Sequence, residues 1–388
     1  MVSRYNYLEK ELSKIQRQDF YRTLKAVNIK GSIAIINGKE AVNFCSNDYL
    51  GLSQNKQVLK KTIERLRQIS QCSSRLIAGN DPNFLELEEQ LSRHRRTESS
   101  LVFPSGYMAN LGTITAIADK NSIIFSDELN HASIIDACIL SRAKIKVFRH
   151  NDPDSLARVM KRFDGKKIVI TEGVFSIGGD ISQLQKICDI AKSNGAITVV
   201  DDAHGDFILG SPDYFSGTPC QLGVNNQIDI HISSLSKALG CFGGYVAASK
   251  TIREILINKS RPFIYTSALP EHLCQSALIS IGLTKKGNLQ KRLFNNTRLL
   301  FEGLRKLGFL IGNSTTQIIP ILVGNERLAL EFSNELLKNR VFAQAIRYPS
   351  VKKGSACLRI SLTSLHKKNQ LFQALNAFER SGKKCNII

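Results

Sequence analysis

The sequence contains no tryptophan, only three methionines and no run of about 18 uncharged apolar residues. The missing apolar run predicts that no segment spans a membrane. Residues 1–30 mix charged and apolar side chains and lack the apolar stretch of a signal peptide. We therefore expect a cytoplasmic protein.

Paired cysteines are also missing. The nine cysteines are scattered between Cys45 and Cys385, with no CxxC pair and no cluster of cysteine and histidine. An odd, irregular set argues against a disulfide framework and against a metal site. We expect reduced, partly buried thiols and no bound metal.

Acidic residues are few for a chain of this length. The 388 residues include 53 Lys and Arg but 33 Asp and Glu, which gives a formal net charge of +20. The basic residues are spread along the chain, without a basic tail or an aromatic RNA-binding motif, so we expect no nucleic acid partner. A solvated basic surface and attraction of an acidic partner both remain open. A nucleic-acid-binding protein is the alternative, and it predicts salt-dependent DNA binding.

The pattern of apolar residues predicts an α/β fold with a mainly parallel sheet covered by helices. Short apolar runs at 122–125, 144–148, 167–170, 196–200 and 228–232 are typical of buried parallel strands, and helical periods separate them. The chain is long enough for a large and a small domain. We predict a helical arm (residues 5–28) and a hairpin around Asn37-Gly38 within 1–45, a large domain over 46–285, and a smaller α+β domain over 286–388.

Chemically suggestive residues follow the predicted strands. Asp201 ends one apolar run, His204 lies three residues later, and Lys237 follows another run. Ligands bind beyond the carboxyl ends of such strands. A lysine that can form an imine and a carboxylate that keeps a pyridine nitrogen protonated are what pyridoxal phosphate chemistry needs. A surface lysine and a helix-capping Asp are the alternatives.

Other residues complete this pattern. Ser105-Gly106-Tyr107 precedes an apolar helical run, and a helix N-terminus with small residues suits a phosphate. Ser234 and Ser236 add hydroxyl groups, and His131 is placed to stack on a flat ring. Arg359 interrupts an apolar strand, where a substrate carboxylate is its natural partner.

The chain resembles the α-oxoamine synthase family of fold-type-I pyridoxal phosphate enzymes from about residue 43 to 366. The resemblance rests on these ordered motifs: SNDYLGL (46–52), SRLIAGN (74–80), SGYMAN (105–110), SDELNHASIIDA (126–137), TEGVFSIGGD (171–180), VVDDAHG (199–205), SLSKALG (234–240), RPFIYTSALP (261–270) and LRISLT (358–363).

The resemblance implies a role for each matching residue. Lys237 resembles the lysine that holds the cofactor, Asp201 the partner of the pyridine nitrogen, and His131 the ring-stacking histidine. The remaining implied contacts are Ser176 and His204 with the phenolic oxygen; Ser105, Gly106, Tyr107, Ser234 and Ser236 with the phosphate; Thr266 and Ser267 with the phosphate of the other subunit of a homodimer; and Arg22, Asn47 and Arg359 with substrate.

The implied activity is that of a pyridoxal-phosphate-dependent acyltransferase. Gly106 favours the branch that condenses L-alanine with a pimeloyl thioester, carried by coenzyme A or acyl carrier protein, in biotin biosynthesis. Glycine C-acetyltransferases and 5-aminolevulinate synthases commonly have Cys there. Phe84, Gly178 and Ser234 depart from the family's frequent His, acidic residue and Thr. The alternatives are another α-oxoamine synthase and a non-catalytic partner subunit, which the presence of Lys237 disfavours.

Overall fold

The computed structural model describes residues 4–161, 163–211 and 214–388, so the first three residues of the predicted arm segment 1–45 lie outside it. Two compact units divide the chain. The smaller unit comprises Met1–Ser46, Ile177–Gly179 and Leu293–Ile388, and the larger comprises Asn47–Ser176 and Asp180–Arg292. The predicted domain boundaries after residues 45 and 285 stay a prediction.

Helices and strands alternate through most of the chain. The helices are α1 (Asn6–Arg17), α2 (Lys56–Glu64), α3 (Pro82–Arg95), α4 (Gly106–Ile117), α5 (Ala132–Ser141), α6 (Pro153–Met160), α7 (Leu184–Ser193), α8 (Gly217–Gln221), α9 (Lys250–Lys259), α10 (Arg261–Ile264), α11 (Glu271–Thr284), α12 (Asn288–Lys306), α13 (Glu326–Lys338) and α14 (Lys368–Lys384). The strands are β1 (Val27–Lys30), β2 (Ile33–Ile36), β3 (Lys39–Asn43), β4 (Ser99–Phe103), β5 (Ser122–Asp127), β6 (Lys144–Phe148), β7 (Lys166–Glu172), β8 (Ala196–Asp201), β9 (Ile230–Ser234), β10 (Gly244–Ala248), β11 (Ile318–Gly324), β12 (Val341–Phe342), β13 (Gln344–Ile346) and β14 (Ala356–Ser361). Among these described helices, none combines the length and the apolar character that a membrane crossing requires.

The larger unit is built on a seven-stranded sheet with the order β4-β10-β9-β8-β7-β5-β6. Strands β9, β8, β7, β5 and β6 are mutually parallel, and β10 runs antiparallel to both of its neighbours. The five predicted strands are confirmed. Strands β4 and β10 are not among the predicted strands. For β10 the reason is its sequence Gly-Tyr-Val-Ala-Ala, because glycine and alanine have a low preference for strands.

Helices cover both faces of this sheet. On one face, Ile124, Ile168 and Ile170 pack with apolar residues of α4, α5 and α9. On the other face, Phe125 and Val169 pack with apolar residues of α6 and α7. Successive strand residues point to opposite faces, so an almost continuous apolar run supplies both cores. The predicted fold, a mainly parallel sheet covered by helices, is confirmed.

The smaller unit begins with α1 and a β-meander. Strands β2 and β3 form the predicted hairpin, and its turn residues Asn37 and Gly38 have φ values of 50° and 73°. The predicted helix over 5–28 is wrong beyond Arg17, where α1 ends. Strand β1 instead pairs antiparallel with β2, because this pairing satisfies its backbone hydrogen bonds.

A second sheet of the smaller unit has the order β11-β14-β13. Its strands β11 and β14 and the helices α12, α13 and α14 agree with the α+β character predicted for residues 286–388. Phe309, Phe332 and Phe378 form a buried aromatic cluster in this unit, with ring centroids 5.8–6.3 Å apart. The smaller unit therefore has an α+β core of its own.

Candidate active site at the carboxyl edge of the larger sheet

Four neighbouring parallel strands of the larger unit end in polar residues. Asp127 ends β5, Glu172 ends β7, Asp201 ends β8 and Ser234 ends β9. Because these strands are parallel, their carboxyl ends lie at one edge of the sheet, and Lys237 follows in the turn after β9. The topology thus gathers the predicted residues of the larger unit that follow these strands.

Asp201 is held in place by neutral donors. It is 8% exposed, and its Oδ2 accepts a hydrogen bond of 2.6 Å from the Asn110 side-chain amide. Its Oδ1 accepts one of 3.0 Å from the backbone N–H of Ala203. The carboxylate is oriented by the fold, while these two hydrogen bonds leave its charge for a cationic ligand.

His131 is linked to the same amide. It caps α5: its Nδ1 accepts a hydrogen bond from the backbone N–H of Ser133 at 3.2 Å and lies 2.8 Å from the Ser133 hydroxyl. Asn110 donates to that hydroxyl at 3.0 Å. The pKa of His131 is lowered first by partial desolvation and also by the positive charge of Lys237, whereas Asp201 opposes this shift. A neutral imidazole on a fixed helix cap can stack on a flat ring.

His204 is connected to Asn47 through Tyr49. The Tyr49 hydroxyl lies 2.7 Å from His204 Nδ1 and 3.1 Å from Asn47 Oδ1. Tyr49 is completely buried and His204 is 5% exposed. The tyrosine therefore fixes the orientation of the imidazole and joins two of the predicted site residues.

Glu172 is a buried carboxyl group beside Asp201. It is 3% exposed and lies directly opposite Asp201 in the parallel register of β7 and β8. Burial, reinforced by the charge of Asp201, raises its pKa well above the usual range, and Lys237 counteracts this. The backbone amides of His131 and Ser176 also act on its carboxyl group in the direction that lowers its pKa. Glu172 Oε1 has no hydrogen-bond partner within the part of the chain that the structure describes.

The start of α4 and the end of β9 form a cradle of small residues. The Ser105 hydroxyl caps α4 by accepting from the backbone N–H of Met108 at 3.2 Å. A Cβ atom on Gly106 would lie 3.2 Å from Ser234 Cβ, and the hydroxyls of Ser234 and Ser236 are 2.8 Å apart. Two hydroxyls beside the positive end of a helix suit a phosphate group. The Tyr107 side chain hydrogen-bonds Asp136, so only its backbone is available to this cradle.

Lys237 lies half-buried in the turn that follows β9. The turn is closed by a 3.0 Å hydrogen bond from Gly240 N–H to the Lys237 carbonyl. Gly240 has a φ of 62°, and a Cβ there would lie 2.3 Å from the backbone nitrogen of Ser53. The lysine acts electrostatically on both His131 and Glu172. An amine, an oriented carboxylate and a phosphate cradle therefore share one edge, and this set fits pyridoxal phosphate.

Some predicted residues are placed elsewhere. Thr266 and Ser267 lie between α10 and α11 of the larger unit, where the next residue, Ala268, donates to the Ser73 carbonyl at 2.8 Å. Arg22 and Arg359 belong to the smaller unit. There, Arg22 donates to the Tyr348 carbonyl at 3.1 Å and Arg359 to the Ser361 hydroxyl at 2.7 Å. Their roles stay predictions.

Sequence reasoning missed Tyr49 and Asn110, and it gave no role to Glu172, which follows a predicted strand. Each lies inside one of the quoted motifs (SNDYLGL, SGYMAN and TEGVFSIGGD), which was the available signal. Phe84, where the family often has His, is fully buried, and the Arg75 guanidinium lies 4.3 Å from its ring centroid. Over residues 4–161, 163–211 and 214–388, no group of His, Cys, Asp and Glu is arranged to hold a metal ion.

Comparisons with known proteins extend over the whole chain. The sequence matches the aminotransferase class I and II family over residues 39–378. It is 40% identical to 8-amino-7-oxononanoate synthase of Thermoanaerobacter pseudethanolicus, over 99% of this chain and 98% of that protein. It is 38% identical to the same enzyme of Trichlorobacter lovleyi, over 98% and 99%.

Solved structures agree with these matches. Serine palmitoyltransferase of Sphingomonas wittichii is similar, with a TM-score of 0.92 and 29% identity over 100% of this chain and 99% of that one. A crystal structure of 8-amino-7-oxononanoate synthase from Francisella tularensis gives a TM-score of 0.74 and 29% identity over 89% and 98%. The similarity therefore includes residues of both compact units.

Proposed function

This chain belongs to the aminotransferase class I and II family, and from that premise we propose that it catalyses the 8-amino-7-oxononanoate synthase reaction. L-alanine and a pimeloyl thioester would condense to 8-amino-7-oxononanoate, with release of carbon dioxide and the free thiol. The observation that carries the proposal is full-length identity of 37–40% with several relatives of that name. The predicted family and enzyme class agree with this.

The cofactor is pyridoxal phosphate, and the residues at the sheet edge fit it. When bound, it supplies an electron sink that stabilises negative charge on the α-carbon of an amino acid. Gly106, Ser234 and Ser236 would hold its phosphate, and Lys237 its aldehyde carbon. Asp201, which Asn110 orients at 2.6 Å, would keep its ring nitrogen protonated.

We assign each of the other site residues a role toward the cofactor or the substrates. His131 would stack on the ring, and His204, which lies 2.7 Å from the Tyr49 hydroxyl, would donate to the phenolic oxygen together with Ser176. Lys237 Nζ removes the α-proton of L-alanine and returns a proton at the end. Arg359 and Asn47 bind the amino acid, with the guanidinium on its carboxylate. Arg22 is assigned to the acyl substrate.

We also propose a homodimer in which Thr266 and Ser267 contact the phosphate of the partner subunit. Support comes from large apolar side chains that the larger unit leaves exposed, including Tyr265 (72%) and Ile77 (83%). Mixing inactive Lys237→Ala protein with a Thr266→Val/Ser267→Ala variant should restore about a quarter of the activity, because half of the dimers are mixed and each has one intact site. No recovery after subunit exchange would contradict the shared site.

Product identification by mass tests the function. The purified protein, reconstituted with pyridoxal phosphate, receives L-alanine or glycine with pimeloyl-coenzyme A, pimeloyl-acyl carrier protein or acetyl-coenzyme A. We expect 8-amino-7-oxononanoate from L-alanine and at least one pimeloyl thioester. Lys237→Ala should give none, whereas Lys250→Ala, which removes an exposed lysine of α9, should keep the activity. Preference for glycine and acetyl-coenzyme A would instead indicate a glycine C-acetyltransferase.

A further inference from the structure

A histidine outside the proposed catalytic set lies between two carboxylates of the larger unit. His150 follows β6, and its Nδ1 lies 2.9 Å from Asp127 Oδ1 while its Nε2 lies 3.1 Å from Asp180 Oδ2. The ring packs edge-on against Phe175, with centroids 4.3 Å apart. We call His150, Asp127 and Asp180 the His150 clamp.

Within the clamp, Asp127 forms hydrogen bonds with the loop that leads to His131. Asp127 ends β5 and is 2% exposed. Its Oδ1 also accepts the backbone N–H of Leu129 at 2.9 Å, and its carbonyl accepts that of Asn130 at 3.3 Å. The loop from β5 to α5 is therefore folded around the Asp127 carboxylate.

Asp180, the second carboxylate of the clamp, belongs to the loop that contains Ser176. The Asp180 carbonyl accepts the backbone N–H of Phe175 at 3.0 Å, and Val174 forms a β-bridge with Ile181. Asn151, directly after His150, adds a side-chain hydrogen bond of 2.9 Å to the Ile181 carbonyl. Its backbone N–H donates to Asp127 Oδ2 at 2.8 Å. His150 and Asn151 thus join the two loops.

The charge state suits this arrangement. Partial burial lowers the pKa of His150, but hydrogen bonds and charges of Asp127 and Asp180 outweigh burial and raise it to about 10. The imidazolium then donates from both nitrogens at neutral pH.

We propose that His150 is a positioning residue: through Asp127 and Asp180 it fixes the His131 loop against the Ser176 loop before the cofactor binds. The roles of His131 and Ser176 rest on the proposed function, whereas the coupling of the loops does not. Preorganised groups reduce the cost of ordering the site on binding. His150 itself contacts neither substrate nor cofactor in this proposal.

Hydrogen exchange of the cofactor-free protein tests the coupling. In His150→Gln, amides of segments 128–133 and 174–182 should exchange about tenfold faster, because charge-assisted hydrogen bonds are lost. The affinity for pyridoxal phosphate should fall by about the same factor, and the visible circular dichroism of the bound cofactor should change. The matched control is Arg149→Gln, which removes the neighbouring exposed ion pair with Asp152 (2.6 Å) and should change none of these.

Two results would overturn the inference. One is unchanged exchange and circular dichroism in His150→Gln; the other is uniformly faster exchange throughout the sheet, which indicates general destabilisation. If His150→Gln does not fold, Asp180→Asn replaces it. In Asp180→Asn, the amides of segment 174–182 should exchange faster than in wild type, and by a larger factor than those of 128–133. Exchange rates equal to those of wild type would reject the clamp. Product identity is measured in a separate experiment. If the proposed reaction is not observed, the hydrogen-exchange result still tests the coupling of the two loops.

Discussion

Two neighbouring aspartates of the larger unit have opposite environments. Asp201 accepts hydrogen bonds from the amide of Asn110 and the backbone of Ala203. Asp202, the next residue, is fully buried and forms an ion pair of 3.1 Å with Arg95. The fold thus pairs Asp202 with a cation, whereas it holds Asp201 with neutral donors, as the proposed role of Asp201 requires.

The region around Arg95 is neutralised internally. Arg95 is fully buried, pairs with Asp206 at 2.9 Å and donates to the Tyr245 hydroxyl at 3.0 Å. Burial raises the pKa of Asp202 to about 6, although Arg95 opposes this. For Asp206, burial acts in the same direction, but the charges of Arg95 and His94 outweigh it and hold its pKa below the usual range. We therefore assign this cluster to stability.

The region around Asp201 contains a second buried carboxyl group, Glu172. Glu172 Oε1 is buried without a hydrogen-bond partner among the described residues, and the cradle at Gly106 presents the hydroxyls of Ser234 and Ser236. Hydroxyl groups beside a helix N-terminus suit the phosphate of the proposed cofactor.

The largest expected effect is on catalysis at Asp201. Asp201→Asn keeps the shape but removes the charge that holds the ring nitrogen protonated, so kcat should fall by about 10³-fold. Steady-state kinetics measure the fall in kcat, and urea unfolding checks that the variant is folded. A variant that keeps more than about a tenth of the wild-type rate would remove Asp201 from the mechanism.

The next largest effect is on stability at Arg95. Arg95→Ala leaves Asp202 and Asp206 buried without their cation, and the free energy of unfolding should fall by about 3–5 kcal/mol. Arg93→Ala is the matched control, because its ion pair with Glu89 is exposed (66% and 59%) and should matter little. Urea denaturation followed by circular dichroism compares them. Equal stability of the two variants would contradict a structural role for the cluster.

A smaller effect is expected at Tyr49. Tyr49→Phe removes the hydrogen bonds to His204 and Asn47, which should lower the free energy of unfolding by about 1–2 kcal/mol and alter the spectrum of the bound cofactor. Tyr214→Phe removes a hydrogen bond of 2.8 Å to the His94 carbonyl and is the control. Only Tyr49→Phe should change the cofactor spectrum. The same spectral change in both variants would argue against a specific role.

The last effect is a pH dependence near Arg95. Burial, followed by the charge of Arg95, lowers the pKa of His231 from 6.5 to about 3, while Asp206 raises it and His94 lowers it. The unfolded chain therefore binds this proton more readily, so stability is lost as pH falls from 6.5 towards 3. His231→Phe should make this acid slope shallower in urea titrations. An unchanged slope would show that His231 does not contribute.

Much of the fold was predictable because burial leaves a local signal. A parallel strand covered on both faces reads as an apolar run, and the five predicted runs all form strands of one sheet. The same reasoning failed at residues 18–28, where an amphipathic pattern continued past the end of α1. Pairing with β2, a tertiary choice, decided the conformation of Val27–Lys30.

For the candidate site, too, some features were predictable from the sequence and others were not. The sequence alone determined the α/β class, the placement of Lys237 and Asp201 after buried strands, and the family, since these depend on local periodicity and ordered motifs. Only the tertiary structure decided that Asp201 and not Asp202 is held by Asn110, 91 residues away, and that Tyr49 meets His204, 155 residues away. Such contacts leave no local pattern, because they arise only when distant strand ends reach the same edge of the sheet.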